Sequence, residues 1–250
     1  MNKEIMLASG GTVHIADDSL CITYMRKRYS LSSSVIGGGF HPILYAVNQK
    51  LTSYCMTEKD LPGGSVASYL RLKLEEKGCD PAQSTVLLTA ARMEWFRHLC
   101  IRKGPLIIDV LSTAGVEKTA ARAGDPALYR EKSGQFLPVG TINIMLLTNA
   151  SLPEGTMVRA LITATEAKTA ALQDLGIAAV YTGRPATGTA TDGLMIITDS
   201  KGPSYTDAGT FSELGEMIAH AVHHTLTECI TIFDTPWNRF PELSTPHAAF

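Results

Sequence analysis

The sequence predicts an α/β protein: a single domain with a mixed β-sheet covered by helices and with Gly/Thr-rich loops at the strand ends. Short apolar runs alternate with helical patterns along most of the 250 residues. Several runs are apolar at successive positions, as in PLIIDVL (105–111) and INIMLL (142–147), which suits strands buried on both faces. The Gly/Thr-rich loops adjoin these runs, and α/β sheets place ligand sites in such loops.

The strands are predicted where short apolar runs are bounded by turn residues. Eight segments meet this description: Cys21–Met25, Ser33–Ile36, Ile43–Asn48, Thr85–Thr89, Leu106–Leu111, Thr141–Thr148, Ala178–Tyr181 and Leu194–Thr198.

Three helices are predicted from apolar periodicity and end signals. The first, Ser65–Lys77, follows a Pro-Gly-Gly break and ends at Gly78. The other two are Glu154–Leu175 and Phe211–Phe233. A Pro-rich stretch, TPWNRFPELSTP, comes directly afterwards. We therefore expect one domain over 1–234 and a C-terminal tail over 235–250.

Composition and charge exclude several classes of protein. The net charge is −2, which provides no electrostatic attraction to nucleic acid or to an anionic membrane. No stretch approaches the roughly 18 apolar residues of a membrane span, and the N-terminus lacks a signal-peptide core. The five cysteines form no CxxC pair. We expect a cytoplasmic protein with reduced thiols and no nucleic-acid or membrane partner, and the sequence leaves oligomerisation open.

The common hydrolase, nucleotide and metal motifs are absent. The sequence contains no GxxxxGK[ST], GxGxxG, GxSxG or HExxH. His220 and His224 lie four residues apart, a spacing that can chelate a metal, beside Glu213 and Glu216. A solvated polar helix face explains the same pattern, so no metal site and no cofactor requirement is predicted.

Four small-residue loops are the unusual feature of the chain. Glycine lets backbone N–H groups approach a ligand, and threonine adds uncharged hydroxyls. Four such loops in one chain favour a shared site. They are VIGGGFH (35–41), STAGVEKTAARAGDP (112–126), PVGTINI (138–144) and RPATGTATD (184–192).

The second predicted helix carries two charges beside an apolar stripe. Glu166 and Lys168 are two residues apart, so they flank the stripe on opposite sides and are poorly placed to pair with each other. They are either boundary charges of a core face or members of a site. The stripe predicted to face the core comprises Val158, Leu161, Ile162, Thr165, Thr169 and Leu172.

Several segments resemble the adenosylcobinamide amidohydrolase family. The most distinctive are TAGVEKTAARAGDP, PVGTINIMLLTN, TATEAKTAALQDLG and ATGTATDGLMI, supported by VIGGGF, LLTAARM and DAGTFSELGEMIAHAV. The resemblance runs from about residue 30 to 226. It implies hydrolysis of the amide that joins aminopropanol to the corrin ring of adenosylcobinamide. The product would be adenosylcobyric acid, which re-enters cobamide synthesis, so the corrinoid is substrate rather than cofactor.

Amide hydrolysis requires a nucleophile, oxyanion donors and an acid for the leaving amine. Glu166, expected to be partly buried, would activate water or protonate the amine. Asp192 or Lys168 would orient the water or hold the leaving group. A rival mechanism makes a threonine of the 187–191 loop, such as Thr191, a covalent nucleophile activated by Lys168.

The remaining candidates are assigned to substrate binding. Hydroxyls of the 187–191 threonines and amides of Gly140 and Gly188 could contact the oxyanion, with Asn143 as a further donor. The full binding set is Gly38, Gly39, Gly115, Glu117, Gly140, Thr141, Asn143, Thr187, Gly188 and Thr189.

Two other functions stay open at this point. One is a corrinoid-binding protein that no longer catalyses, although the presence of Glu166, Lys168 and Asp192 favours an enzyme. The other is an amidase of the same fold with another substrate, because substrate choice depends on the shape of the cleft.

Overall fold

The structure is a computed structural model that describes residues 3–52, 55, 57–127 and 141–232. Within these ranges a curled, mixed β-sheet of nine strands is accompanied by a two-stranded sheet and three α-helices, which is the α/β architecture that the sequence predicts. The predicted tail, 235–250, lies outside the described residues.

The strands are numbered in chain order. They are β1 (Lys3–Met6), β2 (Thr12–Ile15), β3 (Ser19–Ser32), β4 (Gly39–Lys50), β5 (Ser84–Thr89), β6 (Arg97–Lys103), β7 (Leu106–Ala114), β8 (Ala120–Ala121), β9 (Ile142–Thr148), β10 (Gly188–Thr189) and β11 (Gly193–Thr198). The α-helices are α1 (Val66–Glu76), α2 (Glu154–Asp174) and α3 (Glu213–Thr231), and short 3-10 turns cover Glu58–Asp60, Pro81–Gln83 and Met93–Trp95.

The long strand β3 organises the main sheet. One of its edges pairs with β2 in the first half and with β11 in the second half, and β4 pairs along the other edge. The β3–β4 register shifts between Thr23 and Arg28, and such irregularities bend a strand. The sheet continues from β11 through β9 and β7 to β6. The β9–β11 and β4–β5 pairs are parallel and the others are antiparallel.

Two predicted strands are wrong. Residues 33–36 leave the sheet after β3, and Ile36 makes a single bridge to Val86. The following Gly37 has a φ of 63°, a conformation that turns the chain rather than extending a strand. Residues 178–181 form a turn between glycines, with one bridge from Ala178 to Pro185. Strands β1, β2 and β6 were not predicted, because charged residues interrupt their short apolar runs.

The three predicted helices are confirmed, with their ends displaced by no more than two residues. α1 begins at Ser65, whose hydroxyl accepts a hydrogen bond from the Ser68 N–H, and Gly78 follows its end with a φ of 71°. α3 begins at Ser212, whose hydroxyl accepts from the Gly215 N–H. None of the helices in the described ranges is long and apolar enough to cross a membrane.

The buried face of α2 differs from the predicted stripe. Val158 and Ile162 are 42% and 47% exposed, so the prediction that they face the core is wrong. The helix instead buries a row of small side chains where it packs against α3 and β11, namely Thr156, Met157, Ala160, Thr163, Ala164, Ala167 and Ala171. Alanine lets helices approach closely, whereas a periodicity argument gives most weight to large apolar residues.

A chain of buried charges runs beneath the β1–β2 hairpin. The Asp199 carboxylate accepts from Arg26 and pairs with Arg28, whose guanidinium donates to the Ser9 carbonyl at 3.3 Å. The Ser9 N–H donates to Asp109 at 2.7 Å, and His98 Nε2 lies 2.8 Å from the same carboxylate. This charged chain links β3, β6, β7 and the end of β11 through the β1–β2 turn.

Candidate functional site

A cleft of about 240 Å³ opens where β9 and β11 begin and β3 and β5 end. Its walls are mostly apolar, with Leu70 of α1 and Leu87 of β5 among them. The polar side of the cleft is formed by Ser33, Ser34, Thr89, Thr141, Asn143, Thr191 and Asp192. A small apolar cleft with a few convergent polar groups is the usual form of a small-molecule site.

Asp192 holds the loop that precedes β11. Its carboxylate accepts from the Thr189 N–H at 3.0 Å, from the Thr189 hydroxyl and from the Ile142 N–H at 3.2 Å. The fourth donor is the Lys168 ammonium, which reaches the carboxylate from α2. Four donors match the number of lone-pair sites on a carboxylate, so Asp192 is fully engaged by the protein itself.

The ion pair of Lys168 and Asp192 is largely shielded from water. Their side chains are 12% and 17% exposed. Gly188 is required beside the pair, because a Cβ at that position would come within 2.3 Å of the Asp192 carboxylate and 2.7 Å of Lys168 Nζ. The structure thus brings together Gly188, Thr189 and Asp192 from one loop and Lys168 from α2.

Two threonine hydroxyls lie next to each other at the cleft. The Thr141 hydroxyl donates to the Thr191 carbonyl, and the Thr191 hydroxyl donates to Thr141 Oγ1 at 3.1 Å. Thr141 is buried and Thr191 is exposed. Thr191 is therefore the hydroxyl of this pair that a bound molecule can reach directly.

Asn143 lines the cleft from the second position of β9. Its amide nitrogen donates to Asn48 Oδ1 at 2.7 Å and to the Leu88 carbonyl at 3.0 Å. Asn48 in turn donates to Thr113 Oγ1 at 2.9 Å. Because both amide protons of Asn143 are used, it cannot act as the oxyanion donor that the sequence suggests. The atom that it leaves without a partner among the described residues is Oδ1, an acceptor.

Glu166 lies apart from the cleft. Its side chain is exposed, so the expectation that it is partly buried is wrong, and it is not among the cleft-lining residues. The two-residue offset from Lys168 is the reason, since it turns Glu166 towards solvent when Lys168 turns towards Asp192.

Other candidates lie around or beyond the cleft. The Gly115 N–H donates to the Thr141 carbonyl at 3.0 Å, and Glu117 is half-buried near Gly115. The Thr187 hydroxyl accepts from the Ala123 N–H at 2.8 Å, which ties two loops together. Gly38 and Gly39 are exposed and do not line the cleft, although Ser33, Ser34 and Val35 of the preceding segment do. Gly140 lies outside the described residues.

The paired histidines of α3 lie elsewhere. The rings of His220 and His224 are 6.0 Å apart, and His224 lies 3.8 Å from Glu228. In the part of the chain that the structure describes, no group of three or more His, Cys, Asp or Glu side chains is arranged to hold a metal.

Sequence reasoning missed several members of the site. Ser33, Ser34 and the β5 segment 86–90 line the cleft, and Asn48 orients Asn143 from the side away from it. The serines directly precede the glycine-rich loop and could have been included with it. Asn48 carries no such signal, because its relation to Asn143 depends on the order of the strands.

Comparison with known proteins places the chain in a family. It matches the sequence model of adenosylcobinamide amidohydrolase over residues 5–233. It is 32% identical over 229 residues to an uncharacterized protein of Methanocaldococcus jannaschii, with 85% of each chain covered. It is 28% identical over 218 residues to the adenosylcobinamide amidohydrolase of Methanosarcina mazei, with 84% of this chain and 92% of that protein covered.

A solved structure is also similar. A crystal structure of a protein from Pyrococcus horikoshii has a TM-score of 0.48 at 12% identity, and the match covers 92% of this chain and 83% of the other. The family match includes the four segments in which the sequence shows its resemblance, so that prediction is confirmed. The chain belongs to the adenosylcobinamide amidohydrolase family.

Proposed function

We propose that this protein hydrolyses the amide between aminopropanol and the corrin ring of adenosylcobinamide, which releases adenosylcobyric acid for cobamide salvage. The observation that carries the proposal is the convergence of three family-like segments at one cleft. The segment 138–149 contributes Thr141, the segment 163–176 contributes Lys168 and the segment 186–196 contributes Asp192. The relative from Methanosarcina mazei bears the name of this activity.

In this proposal Asp192 and Lys168 hold the reacting loop and set its charge. Asp192 is a positioning residue, since its acceptor sites are occupied by Lys168, Thr189 and Ile142. The ammonium of Lys168 lies in a site shielded from water, where a fixed cation stabilises negative charge developing on the amide oxygen more strongly than in water.

The attack on the carbonyl takes place beside the Thr141–Thr191 hydroxyl pair. Thr191 either orients a water molecule or is itself the nucleophile, and the two routes differ in an acyl-enzyme intermediate. Intact-protein mass spectrometry after rapid acid quench separates them. A corrinoid adduct that is lost in Thr191→Ala supports the covalent route, and turnover by Thr191→Ala without an adduct supports the water route.

The activity itself is tested by incubating the purified protein with adenosylcobinamide and measuring the mass of the corrinoid. We expect replacement of the aminopropanol amide by a carboxylate in the wild type and its loss in Lys168→Met. Glu166→Gln, on the exposed side of the same helix, is the matched control. A corrinoid that co-elutes with the protein but stays intact would support a binding protein instead. A corrinoid that neither binds nor changes would indicate another substrate.

The proposed reaction consumes water and requires no cofactor. We therefore expect turnover to be unchanged after treatment with a chelator. Turnover that is lost with the chelator and restored by a divalent metal would contradict this, and the His220–His224 pair would be the first place to substitute.

A further inference from the structure

The carbonyl oxygen of Asn143 is a buried acceptor without a partner among the described residues. The residue is 1% exposed, and it lines the cleft together with Thr141, Thr191 and Asp192. The orientation of its amide is fixed, because Asn48 Oδ1 and the Leu88 carbonyl are both acceptors and can face only the NH₂ group. The oxygen is therefore held in one place by the strands on either side.

A buried acceptor of this kind is unfavourable unless a donor meets it. Nearly all buried polar groups in native proteins are paired, and an exception calls for a ligand or water. Here the neighbouring backbone leaves room next to the oxygen. A Cβ on Gly193 would lie 2.6 Å from Asn143 Oδ1, so the glycine keeps the side of this oxygen open. The φ of Gly193 is not in the left-handed region, which leaves space rather than conformation as the reason for glycine.

We propose that Asn143 Oδ1 accepts the N–H of the scissile amide and selects secondary amides over esters. This inference rests on the proposed function, because it assigns a role within the same cleft. A secondary amide offers one N–H beside its carbonyl, and an ester has an oxygen without a proton at that position. An ester in this site would leave Asn143 Oδ1 unpaired and would place two acceptors against each other. Sites built to pair a substrate N–H reject analogues that lack it.

The role also accounts for the buried relay behind Asn143. Thr113 accepts from Asn48, and Asn48 accepts from Asn143, so two further strands hold the amide in the orientation that directs its oxygen away from them. A donor role would require the opposite orientation, which would place the Asn143 oxygen against Asn48 Oδ1 and the Leu88 carbonyl. The relay therefore makes Asn143 an acceptor that cannot reverse.

The test compares two substrates in three proteins. The substrates are adenosylcobinamide and the corresponding ester of adenosylcobyric acid with 1,2-propanediol, and the readout is the ratio of their kcat/KM values. In Asn143→Leu, which has a similar volume and no acceptor, we expect amide hydrolysis to fall about 10- to 100-fold while ester hydrolysis stays within about 3-fold of the wild type. Thr113→Val is the control, since it breaks the relay at its far end and should leave the ratio unchanged.

Other outcomes overturn the inference. Equal losses on both substrates in a folded Asn143→Leu protein would assign Asn143 a general packing role or a contact with a peripheral amide of the corrin. No loss on either substrate would mean that water is the partner of Oδ1. If wild type hydrolyses neither substrate, the proposed function itself fails.

The inference also holds or fails without any variant. Should Asn143→Leu and the smaller Asn143→Ala both fail to fold, the wild type is assayed with an N-methylated analogue of the scissile amide. We expect no turnover of this analogue, because it has no N–H. Turnover comparable to that of adenosylcobinamide would refute the proposal.

Discussion

At the scale of single residues, the pair of Lys168 and Asp192 determines the shape of the loop before β11. Replacing Lys168 with Met removes the cation and leaves the Asp192 carboxylate in a largely buried position. We expect unfolding in urea to show a loss of about 1–3 kcal/mol, and turnover to fall at least about 100-fold.

The double variant Lys168→Met/Asp192→Asn separates the structural role from the catalytic one. It removes both charges, so part of the lost stability should return while turnover stays low. Recovery of turnover together with stability would mean that the pair serves only the fold.

Glu166 should contribute little, despite its place in the most distinctive family-like segment. Its side chain is exposed and outside the cleft lining. We expect Glu166→Gln to retain kcat/KM within about 3-fold, since substitutions at exposed positions away from the site are usually small in effect. A loss of 10-fold or more at full stability would return Glu166 to the site.

These residues also mark what sequence can and cannot predict about a site. The resemblance to a family identified Lys168, Thr191 and Asp192, and the cleft brings these together with Thr141. Helical spacing showed that Glu166 and Lys168 point in different directions. It could not show which of them faces the sheet, because that depends on which face of α2 packs. The acceptor role of Asn143 depends on Asn48 and Leu88, which belong to other strands.

At the scale of elements, α2 is held by its alanine face. Ala164 is fully buried between α2 and its neighbours, so a larger side chain has no space there. We expect Ala164→Leu to lower the free energy of unfolding by about 1–3 kcal/mol or more, because overpacking forces strain. Ile162→Ser, two residues away on the exposed face, should change it by no more than about 0.5 kcal/mol. Urea denaturation of both variants checks this, and the opposite order would restore the apolar stripe predicted from sequence.

The elements themselves differed in how well the sequence predicted them. Helices were located accurately because serine caps and a terminal glycine act locally, at Ser65, Gly78 and Ser212. The strands 33–36 and 178–181 failed because apolar runs were read without the turns imposed by nearby glycines. The pairing of β3 with both β2 and β11 has no local signature, since it joins segments more than 150 residues apart in the sequence.

At the scale of the whole molecule, the buried charge chain should make stability sensitive to acid. Burial would raise the pKa of Asp109, but hydrogen bonds from His98 and Ser9 outweigh it and hold that pKa below its usual value. Burial likewise opposes Arg26, Lys201 and Arg28 at Asp199, and these donors keep its pKa low. A carboxyl with a lowered folded-state pKa contributes stability above its unfolded pKa, about 3.9, and loses it as pH falls through the folded value.

We therefore expect the free energy of unfolding to decline below about pH 4. Asp199→Asn should be less stable at pH 7 and should lose less on further acidification, because the titrating group is gone. The exposed Asp174 provides the control, and Asp174→Asn should leave the shape of the pH curve as in the wild type. Urea unfolding from pH 7 to pH 2.5 measures all three proteins, and parallel curves for wild type and Asp199→Asn would contradict the assignment.

The cleft is assembled from segments that are far apart along the chain, and this has a consequence for refolding. Residues 33–35, 86–90 and 141–143 meet only when β11, the last strand of the sheet, inserts between β3 and β9. Contacts of such long sequence separation form slowly, because the loops between them must close first. The hairpins near the N-terminus and the capped helices can gain their circular-dichroism signal early. Catalytic competence should then return with a measurable lag, and its rate would report the insertion of a single late strand.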